Sequence, residues 1–191
     1  MLNELKHKIQ QEALKAWIEN DKRGTAEIST GVGKTILALH ALYTMDKNDL
    51  THVFLAETTE RKKDLLKDIK KYNQIFNRNV TNDYNLKFYC YQTVYKWKDK
   101  NLGLVIADEI HDSLSPKYSE FYFNNNYEAL LGLSATVDRK TKYEENGQIF
   151  TKGELLDKIA PVVFKYTIND SQLAGVSRKL NIYVINHQLE E

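Results

Sequence analysis

The stretch Ser29-Thr30-Gly31-Val32-Gly33-Lys34-Thr35 decides the reading of this chain. It follows the short apolar run Thr25 to Ile28, which has the length of a strand, and it opens a segment with helical patterning from Gly33. A glycine-rich turn in that setting aims backbone N–H groups of the loop and of the helix N-terminus at one spot, which makes a nest for an anion. Lys34 then reaches the β and γ phosphates of a nucleotide, and the Thr35 hydroxyl is suited to Mg²⁺. Ser29, Thr30, Gly31, Val32, Gly33, Lys34 and Thr35 are therefore the expected nucleotide-binding residues. The general pattern G-x-x-x-x-G-K-[ST] asks for glycine at position 28, where this chain has Ile28.

Outward from the loop, apolar runs alternate with helical patterns. Upstream, Leu5, Ile9, Ala13, Leu14, Ala16 and Trp17 recur at helical spacing and predict a first helix that ends near Asn20-Asp21-Lys22-Arg23. Downstream, Val53 to Ala56 reads as a strand, followed by a helix through Leu65, Leu66 and Ile69. Further strands are expected at Leu86 to Tyr91, Leu104 to Ala107, Leu130 to Leu133 and Val162 to Tyr166. Several of these are continuous apolar runs, which suits a parallel sheet covered on both faces in an α/β fold. Tyr143 to Gly153 reads as a polar surface loop before a short helix at Glu154 to Ile159. Past Tyr166 the pattern weakens, and Leu180, Ile182, Val184 and Leu189 offer a last alternation.

Leu104-Val105-Ile106-Ala107-Asp108-Glu109 is an apolar strand that ends in two acids, at the edge where an open α/β sheet presents groups to a ligand. Asp108 is placed to hold Mg²⁺ through its hydration shell, and Glu109 to accept a proton from an attacking water.

The 191 residues suit one core and a tail rather than two ordinary domains. With 27 basic against 26 acidic residues the net charge is +1, so contact with nucleic acid has to come from a local patch. The lone cysteine, Cys90, excludes an internal disulfide, and no Cys/His spacing fits a zinc site. The N-terminus lacks the apolar stretch of a signal peptide, and no window is apolar enough to span a membrane. These features predict a cytoplasmic, or otherwise intracellular, protein with no membrane partner.

Asp108-Glu109-Ile110-His111 forms a DEIH box, and Leu133-Ser134-Ala135-Thr136 supplies a Ser-Ala-Thr motif after the next strand. Together with the loop, these elements resemble the first RecA-like domain of a superfamily 2 DEAD/DEAH-box helicase, over roughly Leu5 to Tyr166. The pattern is most similar to the branch of type I and III restriction-enzyme motors and DNA-repair helicases. The resemblance implies a P-loop NTPase three-layer sandwich with a mostly parallel central sheet, spanning residues 1–166, and a connector at 167–191. It accounts for Ile28, because the superfamily's loop does not require the first glycine. It implies ATP and Mg²⁺ as ligands, Lys34, Asp108, Glu109 and His111 as catalytic residues, and Gln10 as the reader of the adenine edge. His111 is implied to relay the nucleotide state to Ser134 and Thr136, which couple hydrolysis to movement.

The resemblance further implies a nucleic-acid partner, DNA rather than RNA. Thr58 and Thr59, at the start of a helix, and Gln92 and Thr93 stand where the family contacts the strand, although Glu57 and Cys90 replace the usual proline and threonine. A basic helix face, Arg61-Lys62-Lys63 with Lys67, Lys70 and Lys71, and the mixture of Tyr91, Tyr95 and Trp97 with Lys96 and Lys98 are two further candidate contacts.

Such motors hydrolyse ATP between two RecA-like domains, and no second one fits after Tyr166. The segment Arg178-Lys179-Leu180-Asn181-Ile182 is similar to the passage toward it. The expectation is a half-motor, an ATPase that turns over slowly alone. Two other readings stay open: a nucleotide-binding regulatory module, and an RNA helicase domain. A P-loop kinase needs no Ser-Ala-Thr motif, and the guanine-reading Asn-Lys-x-Asp of a GTPase is missing.

Overall fold

Strands that are apolar on both faces need cover on both, and the fold meets that need with helices above and below one sheet. The computed structural model describes residues 2–46, 49–145 and 147–176. The six strands of the main sheet are β1 (Arg23–Ile28), β2 (Thr51–Ala56), β3 (Leu86–Cys90), β4 (Asn101–Asp108), β5 (Asn126–Ser134) and β8 (Val162–Tyr166). They lie in the order β3-β2-β4-β5-β1-β8, and every pairing is parallel.

Alternation along each strand divides the core in two. Phe54 and Ala56 of β2, Leu104 and Ile106 of β4, and Leu131 and Leu133 of β5 face one layer. That layer holds α1 (Leu2–Glu19), α2 (Lys34–Tyr43) and α3 (Thr59–Phe76), through Ile9, Ala13, Trp17, Leu37, Leu42, Leu65 and Ile69. Val53, Leu55, Val105, Ala107 and Leu130 face the other. There the cover is α5 (Tyr91–Val94), α6 (Pro116–Asn124) and α7 (Lys152–Ile159). The three-layer α/β sandwich expected from the sequence is present, with a sheet that is parallel throughout.

Trp17 is fully buried, and its indole N–H donates to the Leu130 carbonyl at 2.9 Å, which fastens α1 to the centre of the sheet. The first helix stops after Glu19, where Asp21 and Lys22 take left-handed backbone. Helix starts carry local signals: Ser115 caps α6 with Pro116 in its first turn, and Thr151 with Glu154 forms a capping box on α7.

Two expectations need correction. Tyr143 to Gly153 is not an irregular loop: β6 (Lys142–Glu145) and β7 (Gln148–Thr151) pair antiparallel across it, and α7 already begins at Lys152. The signal was the dipeptide Asn146-Gly147, with Gly147 at φ 76°, because a tight hairpin turn needs positive φ. The strand expected through Tyr91 ends at Cys90, and Tyr91 opens α5 instead. The sequence reading also passed over α4 (Val80–Asp83), α6 and α8 (Ile168–Leu173), the last of which starts on a capping box of Thr167 and Asp170. Beyond α8, Val176 packs against the first core layer. The alternation from Leu180 to Leu189 and the segment Arg178 to Ile182 lie outside the described residues.

Candidate nucleotide-binding site

The loop after β1 is tied down before it turns. The Ser29 N–H donates to the Tyr166 carbonyl of β8 at 3.0 Å, and buried Gln10 of α1 donates its side-chain amide to the Val32 carbonyl at 2.7 Å. Gly31 and Gly33 sit at φ 87° and 101°, a region that side-chain-bearing residues rarely adopt. A Cβ on Gly33 would also stand 2.8 Å from the Gln10 amide nitrogen, which would have to shift, so the positive φ and this close approach together favour glycine. Gly33 is the N-cap of α2 without a side chain to cap it, so the first N–H groups of α2 stay directed at the cleft. Thr30, Gly31, Gly33, Lys34, Thr35, Arg61 and Glu109 line that cleft, whose volume is about 420 Å³.

Opposite the loop, β4 delivers the two acids. Glu109 leaves the strand in left-handed backbone, φ 46° and ψ 55°, a conformation that costs a non-glycine residue about 1–3 kcal/mol. That turn brings its carboxylate to Lys34, whose ammonium donates to Oε1. Asp108 is 1% exposed, and its Oδ2 accepts from Arg61 Nε at 2.6 Å. Its other oxygen, Oδ1, is buried and has no hydrogen-bond partner among the described residues, and the same holds for the Ser29 hydroxyl. A buried carboxylate oxygen without a partner costs more than an ordinary lost hydrogen bond, so it marks a place for a cation or its water. The Tyr91 hydroxyl, which burial holds well above the usual phenol range and so keeps protonated, donates to the Asp108 main-chain carbonyl at 2.9 Å.

His111 lies in the single 3₁₀ turn after the acids, Ile110–Ser113, and its Nδ1 is 2.8 Å from Ser134 Oγ at the end of β5. The Ser134 hydroxyl in turn donates to the Thr136 carbonyl at 2.8 Å and lies 3.4 Å from Glu109 Oε2. The register of β4 and β5 makes this contact, pairing Asp108 with Leu133 directly before the two motifs. Gly132 allows it: a Cβ there would meet Ile110 Cδ1 at 2.8 Å and Thr25 Oγ1 at 2.4 Å.

The expected strand-contact residues lie along the same sheet edge. The Thr58 hydroxyl caps α3 by accepting the Arg61 N–H at 3.1 Å, Thr59 is the exposed first residue of α3, and exposed Gln92 donates to the Glu57 carbonyl at 2.9 Å. Thr93 is exposed beside Gln92. The two patches change character. Arg61 does not join the outer basic face, because it is turned in to Asp108, whereas Lys67, Lys70 and Lys71 remain exposed. Tyr91 is core and Trp97 packs on Tyr89 and Phe121, which leaves half-buried Tyr95 with Lys96 and Lys117 over its ring. Arg61 is the site residue that sequence reasoning missed. Only the pairing of β2 with β4 sets the first turn of α3 beside Asp108, and strand adjacency is not written in any motif.

Residues 5–139 match the family described as "Type III restriction enzyme, res subunit". No curated protein sequence matches the chain. Among solved structures, the ATP-dependent type ISP restriction-modification enzyme LlaBIII bound to DNA aligns with a TM-score of 0.59 at 14% identity, covering 87% of this chain and 15% of that one. The UvsW helicase from bacteriophage T4 aligns with a TM-score of 0.56 at 20% identity, over 83% of this chain and 59% of that one. The Hef helicase domain of Pyrococcus furiosus gives 0.58 at 12% identity, over 90% and 39%. At these identities the likeness is one of fold, and the chain spans a minor to moderate part of each neighbour. Among the described residues no helix is long and apolar enough to cross a membrane.

Proposed function

The chain belongs to the family of type III restriction enzyme res subunits, and from that premise we propose that it is the ATP-binding motor domain of an ATP-dependent DNA helicase or translocase. One observation carries the reading: the loop lysine Lys34 and the DEIH acid Glu109 meet across a cleft that both line, with Asp108 buried behind Arg61 at its wall. Each group has a task. The N–H groups of Thr30 to Thr35 and the Lys34 ammonium bind the phosphates. The Thr35 hydroxyl and Asp108, with its unpartnered Oδ1, would hold Mg²⁺, which when bound neutralises charge on the β and γ phosphates.

Glu109 accepts the proton of the attacking water once Lys34 has exchanged its carboxylate for phosphate. Gln10 reads adenine from behind the loop. An amide carries two N–H donors and an acceptor, so its bond to Val32 leaves capacity for a base edge. The His111–Ser134–Thr136 chain links Glu109 to the end of β5 and couples hydrolysis to movement.

DNA as the track is supported by family membership and by a fold neighbour described as bound to DNA. Thr58, Thr59, Gln92 and Thr93 form the proposed contact along the sheet edge, of the phosphate-positioning kind that carries no sequence information. A second RecA-like domain completes the catalytic site with an arginine finger, an effect worth about 10³–10⁵ in rate where it operates. An intracellular setting belongs to the same reading.

The test is equilibrium binding of a fluorescent ATP analogue with Mg²⁺, together with steady-state hydrolysis with and without DNA. This chain is expected to bind the nucleotide, hydrolyse it slowly and leave duplexes paired. Failure to bind any nucleotide refutes the reading, and DNA-stimulated turnover at the rate of a complete motor refutes the need for a second domain.

A further inference from the structure

Charges in the cleft are cross-neutralised: Lys34 sits on Glu109, and Arg61 sits on Asp108. Both cations line the same space, together with Thr30, Gly31, Gly33 and Thr35. The backbone of Arg61 is fixed, because its N–H is the donor to the Thr58 cap, whereas its side chain is about one-third exposed and free to change rotamer. Asp108, in contrast, is buried at the end of β4 and cannot follow.

Under the function proposed above, on which this inference rests, Mg²⁺ and nucleotide claim the two carboxylates and Lys34 together. Mg²⁺ at the free Oδ1 then shares the Asp108 carboxylate with Arg61 and repels its guanidinium, which weakens their pairing. A partly buried guanidinium that loses its carboxylate leaves an unpaired charge, so it moves to the nearest anion that matches its planar fork. The only anion that enters with the ligand is the polyphosphate. Arg61 lines the cleft beside Asp108 at the end of β4, whereas the loop backbone takes the inner phosphates, which leaves the terminal phosphoryl as the group for Arg61.

We propose that Arg61 reads the γ-phosphate: it clamps Asp108 when the cleft holds no triphosphate and transfers to the terminal phosphoryl when one binds. ADP lacks the acceptor for that transfer. The residue is thus a specificity determinant for triphosphate over diphosphate, supplied by this chain itself and separate from any arginine contributed by a second domain.

The experiment compares Mg²⁺-dependent Kd values for ADP and for a non-hydrolysable ATP analogue, by calorimetry, in the wild-type chain, Arg61→Gln and Arg61→Lys, each first shown to melt cooperatively. Arg61→Gln is expected to weaken the triphosphate analogue relative to ADP by about tenfold or more, the effect of one charge-assisted hydrogen bond, while ADP binds as well as before or better. Arg61→Lys keeps the charge without the fork and retains part of the preference, and it carries the test if Arg61→Gln does not fold. A loss by the same factor for both nucleotides overturns the proposal in favour of general support of the cleft. An unchanged preference in both variants overturns it too. A wild-type chain that binds neither nucleotide overturns the function on which it rests, an outcome distinct from the other two.

Discussion

Replacing Glu109 by Gln should tighten nucleotide binding while it abolishes turnover. The Lys34 ammonium donates to Glu109, so this contact has to break before Lys34 reaches phosphate. Lys34 is 10% exposed and Glu109 27%, a pair partly open to water, so the net contribution is set near that of exposed pairs, about 1 kcal/mol at most. Glutamine keeps the shape and removes the charge. Releasing Lys34 at that saving tightens the complex by up to about fivefold, and removing a negative charge from the path of a polyphosphate acts in the same direction. Turnover should fall by about 10²–10⁴, the usual contribution of a positioned general base. Lys34→Ala provides the contrast. It deletes a buried charged contact to the ligand, which costs about 2–5 kcal/mol, or some 30-fold to several thousand-fold in Kd. The assay is titration of a fluorescent, non-hydrolysable ATP analogue with Mg²⁺, paired with single-turnover hydrolysis of ATP. Weakened binding in Glu109→Gln, equal to that of Lys34→Ala, would refute the assignment of one residue to chemistry and the other to binding.

Trp17→Phe should lower stability by about 1–3 kcal/mol, because it strips the donor from the buried Leu130 carbonyl at the centre of the sheet. For a domain of this size that shifts Tm by roughly 2–4 °C per kcal/mol, and calorimetric melting of the variant checks it. Stability should also fall as the medium is acidified below about pH 6.5. Burial lowers the pKa of both His40 and His52, with nearby His7 adding to the effect at His40 and Glu128 opposing it at His52. In the window below the unfolded value of about 6.5 the unfolded chain binds more protons than the folded one, so the fold loses stability as pH falls. His52 supplies the physical cause, since its Nδ1 accepts the Leu104 N–H at 2.8 Å and can do so only while that nitrogen is unprotonated. A Tm that is unchanged or higher at pH 5.5 than at 7.5 would contradict this.

What was legible in the sequence was whatever is decided within a few residues. Ser29 to Thr35 could be read because a loop that binds phosphate needs small residues at positive φ, and both Gly31 and Gly33 occupy that region. The central strands β2, β4 and β5 could be read because each carries a continuous apolar run that is buried on both faces. Helix and hairpin signals of equally local origin, the Asn146-Gly147 dipeptide and the Thr167/Asp170 capping box, were present in the same text and were passed over.

The candidate site was legible as a set of residues and not as a set of partners. Gln10 lies 22 residues before Val32, yet its amide binds the Val32 carbonyl; His111 lies 23 before Ser134, and the register of β4 against β5 joins them. The basic face on α3, already interrupted in the sequence by Asp64 and Asp68, also loses Arg61, which the tertiary structure turns inward to Asp108. The sequence by itself determined the chemistry: the phosphate loop, the acidic pair after β4, and the strand-and-helix rhythm that places both on one edge of a sheet. Only the tertiary structure decided which cation faces which acid, because that depends on strand order. β2 lies against β4, and so the helix that leaves β2 begins beside Asp108.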